Sequence, residues 1–138
     1  MSAEFTVDVP VRYRDLDPMN HVNHAVYASY LEAGRTAYLE DVAGLEPEEI
    51  SFVIVDLQLS YERPITKGDE PTVALSVTRL GDSSCTMSYE IRVDGDVAAT
   101  AETTIVHIDP DTERPSPVPH AIAQRIREHD GLEAVASR

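Results

Sequence analysis

Apolar residues recur with a helical period between residues 24 and 43. One face of this stretch collects positions that lie three or four residues apart: Tyr27, Tyr30, Leu31, Gly34, Tyr38 and Val42. This spacing predicts a helix over residues 24–43 that turns one face to a core. Gly34 weakens such a helix by about 1 kcal/mol relative to alanine, which indicates a packing reason for it. Several alanines keep the helix slim, so a sheet can wrap closely around it. Gly44 is the expected C′ residue.

Runs with a two-residue period predict the strands of an antiparallel sheet. They cover residues 52–61, 72–80, 86–93 and 97–108, with hairpin signals at 81–84 ("GDSS") and 94–96 ("DGD"). Residues 4–14 alternate in part and predict a first strand, in which Pro10 indicates an edge position or a bulge. A proline-rich loop over 109–119 and a short helix over 119–130 complete the chain. The order of strand, long helix and four strands predicts an α+β fold, a five-stranded antiparallel sheet wrapped around one long central helix.

Length and composition indicate one domain over residues 1–138 in a reducing compartment. No apolar run approaches the roughly 20 residues that cross a bilayer. The start "MSAEFTVDVP" lacks the basic region and apolar core of a signal peptide. The single cysteine, Cys85, excludes an internal disulfide framework and is interpreted as a small buried apolar residue. A cytoplasmic location is therefore expected.

The formal net charge of -14 comes from 25 acidic and 11 basic residues, and Lys67 is the sole lysine among the latter. A field of this sign repels nucleic acid and anionic lipid, so neither is an expected partner. The acidic residues are scattered, which argues against a disordered acidic tail. An acidic surface with arginine in place of lysine is typical of proteins from a high-salt cytoplasm, and the sequence predicts a halophilic protein. A mildly acidic protein of ordinary salt tolerance is the alternative.

Polar chemistry is concentrated in residues 15–24, "DLDPMNHVNH", directly before the predicted helix. A carboxylate can act as general base or nucleophile, and free N–H groups at a helix start can stabilise an oxyanion. The residues also allow plainer interpretations. Asp17 before Pro18 is typical of a turn, Asn23 of an N-cap, and Asp15 of a solvated or turn-stabilising carboxylate. Zinc bound by Asp17, His21 and His24 is a further alternative, although His-x-x-His alone is a weak signal.

The stretch "YRDLDPMNHVNHAVYASYLEAGR" (13–35) resembles the acyl-CoA thioesterases of the hot-dog fold, in the branch of 4-hydroxybenzoyl-CoA thioesterase. That pattern has an Asp-x-Asp pair, a Gly-His-Val-Asn-Asn-like loop and Tyr-x-x-Tyr-x-Glu on the central helix. The segments "YERPITKGD", "RLGDSS" and "DPDTERPSPVP" are similar to the family's strand ends and closing loop, so the resemblance covers nearly the whole chain. Two positions depart from the pattern: Asn20 replaces the glycine and His24 the second asparagine. Asparagine tolerates positive φ better than most residues, so Asn20 can keep the turn.

The resemblance implies hydrolysis of acyl-CoA, with Asp17 as general base or nucleophile. No cofactor and no metal are expected. It places the backbone N–H of His24 at the thioester carbonyl. His21 and Asn23 are expected to fix the loop through hydrogen bonds to the backbone. The resemblance also implies a homodimer or homotetramer with the site between subunits, because a single unit leaves a sheet edge open.

Further site candidates complete the set. His21, Tyr27, Arg63 and Ser84 are candidates for substrate contact, and Glu32 and Asp56 are backup carboxylates. Packing against Arg35 is the alternative role for Glu32. Two other functions compete: a hot-dog hydratase or dehydratase on acyl thioesters, and a non-catalytic acyl-CoA-binding protein. The former uses a histidine with a carboxylate in other sequence contexts. The latter normally carries a DNA-binding segment, for which this sequence has no basic patch.

Overall fold

The computed structural model describes residues 4–132, and its elements follow the predicted order. They are β1 (Phe5–Asp8), α1 (Val26–Asp41), β2 (Phe52–Tyr61), β3 (Thr72–Leu80), β4 (Ser84–Val93), β5 (Asp96–His107) and α2 (His120–Asp130). Short 3₁₀ turns lie at Tyr13–Asp15 and Pro47–Glu49. None of the described helices has the length and apolar character needed to span a membrane.

All five strands form one antiparallel sheet in the order β1-β3-β4-β5-β2. The helix α1 packs on this sheet, and its predicted apolar face is buried apart from Val42, which is half-buried. The predicted α+β architecture is confirmed. Strands β1 and β2 are the two edges, so the first strand has the edge position that Pro10 indicated.

Gly34 is the point of closest approach between α1 and the sheet. A Cβ atom at this position would lie 2.8 Å from Val73 Cγ1 and 3.1 Å from Leu75 Cδ2. Both distances are shorter than ordinary van der Waals contact, and both partners are buried on β3. The glycine therefore allows the sheet to press on the helix backbone, which is the packing reason expected from the sequence.

The first strand and the helix ends differ from the sequence predictions. The strand ends at Asp8, well before residue 14, because Pro10 has no N–H to continue the ladder and a 3₁₀ turn follows. The helix covers Val26–Asp41 and its N-cap is Ala25, so the prediction of Asn23 as N-cap is wrong. Gly44 has the left-handed φ of 74° expected of a residue that ends a helix, but it lies two positions after the C-cap.

The second helix closes the far side of the core against α1 and β1. The buried hydroxyl of Tyr38 on α1 donates to the Asp130 carboxylate on α2. Phe5 packs edge-on against Tyr38 with ring centroids 5.6 Å apart, and Ile126 is fully buried. Desolvation, and next the hydrogen bond to Asp130, raise the pKa of Tyr38, so its phenol stays the proton donor.

The edge strand β2 exposes most of its apolar side chains. Val53, Ile54, Val55, Leu57 and Tyr61 are 41–58% exposed in the single chain. The predicted alternation does not continue along the whole strand, since the register with β5 shifts between Ile54 and Asp56. An apolar edge strand with unpaired backbone groups is a surface that proteins usually cover.

Candidate active site

The polar stretch before α1 folds into a small hairpin over residues 16–22. The N–H of Asn20 donates to the Asp17 carbonyl at 3.0 Å, and the N–H of Asp17 donates to the His21 carbonyl at 2.7 Å. Pro18 pre-sets φ at the second position of the turn, and Asn20 has the left-handed φ of 63°. The expectation that Asn20 keeps the turn in place of glycine is confirmed.

Backbone hydrogen bonds attach this hairpin to the segment that follows β2. The N–H of Val22 donates to the Ile65 carbonyl at 2.7 Å, and the N–H of Lys67 donates to the Asn20 carbonyl at 3.1 Å. His21 forms an isolated antiparallel bridge with Thr66. The main chains of two segments therefore hold the loop that carries Asp17. The shape of this loop does not depend on a hydrogen bond from the imidazole of His21.

Three of the four backbone N–H groups of residues 23–26 donate hydrogen bonds within the described part of the chain. The N–H of Asn23 donates to the Asp15 carbonyl at 2.8 Å. The N–H of Ala25 donates to Asn23 Oδ1 at 2.9 Å, and the N–H of Val26 donates to the Asn23 carbonyl at 2.9 Å. In the described part of the chain, the N–H of His24 has no such partner. The side chain of Asn23 thus fixes the local backbone as expected, while the N–H of His24 stays available.

The Asp17 carboxylate uses one oxygen for the turn and keeps the other free. Its Oδ1 atom accepts the N–H groups of Met19 at 2.8 Å and His21 at 3.1 Å. Within residues 4–132, Oδ2 forms no hydrogen bond. The turn-forming and catalytic interpretations of Asp17 are therefore compatible, because two N–H groups orient the carboxylate and leave one oxygen for chemistry.

A surface cavity of about 350 Å³ brings most of the predicted site residues together. Its lining consists of Asp17, His21, Val22, His24, Tyr27, Tyr61, Glu62, Arg63 and Pro64. The sequence interpretation missed Tyr61, Glu62 and Pro64. For Tyr61, the only signal in the sequence is its place at the end of the predicted strand 52–61, directly before the "ERP" turn.

Two tyrosines form the inner wall of this cavity. The rings of Tyr27 and Tyr61 meet edge-on with centroids 4.8 Å apart. The hydroxyl of Tyr27 accepts the N–H of Ile65 at 3.3 Å, and the hydroxyl of Tyr61 donates to the His24 carbonyl at 2.8 Å. Burial raises the pKa of Tyr27, so its phenol is neutral at physiological pH.

The remaining candidates are not all brought to the cavity. Arg63 lines it and pairs with Asp96 at 3.1 Å, an exposed ion pair of small energetic worth. Ser84 starts β4 and pairs with Val106, at the end of the sheet far from Tyr61. Ser84 therefore does not line this cavity within one chain, and its contact with substrate stays a prediction.

Both backup carboxylates also lie away from this lining. Glu32 is exposed on α1, and Asp56 is exposed on β2, where it accepts a hydrogen bond from Gln58 at 3.3 Å. Among the described residues, no group of three or more His, Cys, Asp and Glu side chains is placed to hold a metal ion. The zinc alternative at Asp17, His21 and His24 thus has no geometric support.

Asp15 belongs to a different cavity, of about 230 Å³, which Arg12, Arg14 and Tyr30 also line. Its Oδ2 atom accepts the N–H of Arg12 at 2.8 Å and the hydroxyl of Tyr30 at 3.0 Å. The carboxylate is buried, so the solvated alternative is wrong, while the turn-stabilising one fits the 3₁₀ turn at Tyr13–Asp15. Desolvation, and next the hydrogen bond to Asp15, raise the pKa of Tyr30, which stays the donor.

Comparisons with known proteins agree with this arrangement. The family model of the thioesterase-like superfamily matches residues 11–126. The chain is 32% identical over 111 residues to the long-chain acyl-CoA thioesterase FadM of Escherichia coli (strain K12). The aligned region covers 77% of this chain and 84% of that protein.

Two solved structures share the fold over nearly their whole lengths. A thioesterase from Thermus thermophilus, complexed with coenzyme A and Zn, superposes with a TM-score of 0.83 at 39% identity and covers 94% of this chain and 96% of its own. A predicted thioesterase from Bacillus stearothermophilus superposes with a TM-score of 0.85 at 28% identity, covering 96% and 100%. The predicted hot-dog fold is confirmed, and the chain belongs to the thioesterase-like superfamily.

Proposed function

We propose that this protein hydrolyses acyl-CoA thioesters to a free acid and coenzyme A. One observation carries the proposal: Asp17 Oδ2 and the backbone N–H of His24 have no hydrogen-bond partner among residues 4–132, and both residues line one open cavity. Hydrolysis of an acyl compound needs these two elements, a group that activates or performs the attack and a donor for the developing oxyanion. The similarity to an acyl-CoA thioesterase and to a thioesterase crystallised with coenzyme A supports acyl-CoA as the substrate class.

The chemistry needs no resident cofactor. The thioester carbonyl oxygen points at the N–H of His24, which stabilises the negative charge that forms there. Asp17 acts as general base toward a water molecule or as nucleophile toward the carbonyl carbon. In either route the carbon–sulfur bond breaks, the thiolate of coenzyme A leaves and is protonated, and one water is consumed.

The working unit in this proposal is a homodimer joined through β2. The exposed apolar side chains of β2 lie on a free sheet edge, which a second β2 strand can pair in antiparallel fashion. Such pairing places the Phe52 end of one strand beside the Tyr61 end of the other. Because Ser84 lies near the Phe52 end, the partner copy would bring its Ser84 toward this subunit's Asp17 cavity. The role predicted for Ser84 is therefore proposed across the interface.

A high salt concentration should help this acidic protein to bind its anionic substrate. Coenzyme A is anionic, and a chain of net charge -14 repels it at low salt. At multimolar KCl the Debye length falls to about 3 Å or less, so long-range repulsion disappears and local contacts such as that of Arg63 decide binding. We therefore propose a salt-rich cytoplasm as the working environment.

A panel of short, long, branched and aromatic acyl-CoAs, incubated with the protein in high KCl, tests the proposal. Free thiol release with 5,5′-dithiobis(2-nitrobenzoate) is the readout, and the same panel without protein is the control. Turnover of at least one acyl class is expected. Absence of protein-dependent thiol release across all four classes would defeat the proposed function.

A further inference from the structure

Tyr61 forms a hydrogen bond to the backbone just before α1. It lies at the end of β2, and its hydroxyl donates to the carbonyl oxygen of His24 at 2.8 Å. The two residues are 37 positions apart in the chain, so the hydrogen bond joins the sheet edge to the start of α1.

The bond from Tyr61 holds one specific peptide group. The carbonyl of His24 and the N–H of Ala25 belong to the same planar unit. Tyr61 holds the oxygen of this unit, and Asn23 Oδ1 holds its N–H at 2.9 Å. The plane between His24 and Ala25 is therefore fixed from both sides.

The neighbouring peptide group carries the proposed oxyanion donor. Its carbonyl, that of Asn23, accepts the N–H of Val26 at 2.9 Å, while its N–H, that of His24, points to no acceptor in residues 4–132. Adjacent peptide planes share only the φ and ψ angles of the residue between them, here His24. Without the hydrogen bond from Tyr61, the plane between His24 and Ala25 is held only at the Ala25 N–H. The φ and ψ angles of His24 can then vary more widely, and the direction of the His24 N–H is less sharply fixed.

We infer that Tyr61 is a positioning residue, which directs the His24 N–H toward the thioester oxygen through its hydrogen bond to the His24 carbonyl. This inference rests on the proposed function, in which that N–H stabilises the oxyanion. Tyr61 is 48% exposed in the single chain, so water competes for the carbonyl. In the proposed dimer, pairing of β2 excludes this water, and assembly therefore strengthens the geometry of the site.

The substitution Tyr61→Phe tests the inference because it removes the hydroxyl and keeps the ring against Tyr27. Small misplacement of a catalytic group costs up to about a hundredfold, so we expect kcat to fall about tenfold or more, with KM changed by less than about twofold. The Kd of a non-hydrolysable thioether analogue of acyl-CoA, which has no carbonyl, should stay unchanged. Tyr13→Phe is the matched control, because this substitution also removes a tyrosine hydroxyl but at a position that is 87% exposed and does not line the cavity.

The outcomes separate this inference from the proposed function. A wild-type protein without thioesterase activity contradicts the proposed function, whatever Tyr61 does. An active wild type whose Tyr61→Phe variant keeps kcat within about twofold overturns the inference alone. The inference is also overturned if kcat/KM and the affinity for the thioether analogue fall by the same factor. That result would mean that Tyr61 contacts the substrate directly instead of positioning the His24 N–H. If the Phe variant does not fold, Tyr61→Met keeps an apolar side chain at the same place, and the same two thresholds apply.

Discussion

Replacing Gly34 by alanine should destabilise the protein, although alanine is the better helix former. Alanine favours a helix interior by about 1 kcal/mol over glycine. The new methyl group would lie 2.8 Å from Val73 Cγ1 and 3.1 Å from Leu75 Cδ2, and both partners are buried on β3. Overpacking of this kind costs about 1–3 kcal/mol, so the net loss should be about 1 kcal/mol.

Urea unfolding at constant KCl measures this change as a shift of the midpoint at unchanged slope. Ser29→Ala, on the exposed face of the same helix, is the control and should not lower the stability. The double variant Gly34→Ala with Val73→Ala removes the closest contact, so the two changes should be less damaging together than their sum by about 1 kcal/mol. A Gly34→Ala protein more stable than the wild type, or strict additivity with Val73→Ala, refutes the close-approach reasoning.

Three further predictions concern assembly, ionisation and salt. Val55→Lys, at an apolar position of β2 that is 58% exposed, should convert a dimer to a monomer in light scattering, and an unchanged mass contradicts pairing through β2. Burial raises the pKa of Cys85 to about 12 from 9.0, so this thiol should resist labelling at pH 8 until the protein is denatured. Because the pKa of Cys85 is raised in the folded state, the neutral thiol contributes its full share to the free energy of unfolding below about pH 9. Between about pH 9 and about pH 12 this share falls by about 1.4 kcal/mol per pH unit. Cys85→Ala should therefore make the free energy of unfolding less dependent on pH in this range. The melting temperature should rise between low and multimolar KCl, and a salt-independent value contradicts the halophilic interpretation.

The elements were predictable from the sequence where one local rule decides them. The strands at 52–61 and 72–80 have the predicted bounds, because apolar alternation and flanking turn residues coincide there. The start of the chain was not predictable, since the "EFTVDVPVRYR" pattern alternates beyond Asp8 while Pro10 cannot donate to the ladder. The helix start was displaced because Asn23 uses its side chain to fix the Ala25 N–H in the preceding turn.

Only the site residues that lie close together in the sequence were predictable. Asp17, His21 and His24 are close in sequence and line one cavity, and the resemblance had already selected them. Tyr61 and Pro64 reach the cavity through the long-range pairing of β2 with β5, which no local pattern encodes.

The most direct test of the central claim is the kcat of Asp17→Asn toward the best acyl-CoA substrate. The amide oxygen of asparagine can still accept the N–H groups of Met19 and His21, so the turn should survive while the carboxylate is lost. The matched control is Asp41→Asn, an exposed carboxylate at the end of α1. The account predicts that kcat falls by about a hundredfold or more in the Asp17 variant, with the folded state intact and the control near wild type. An Asp17→Asn protein that keeps most of the wild-type kcat would contradict it.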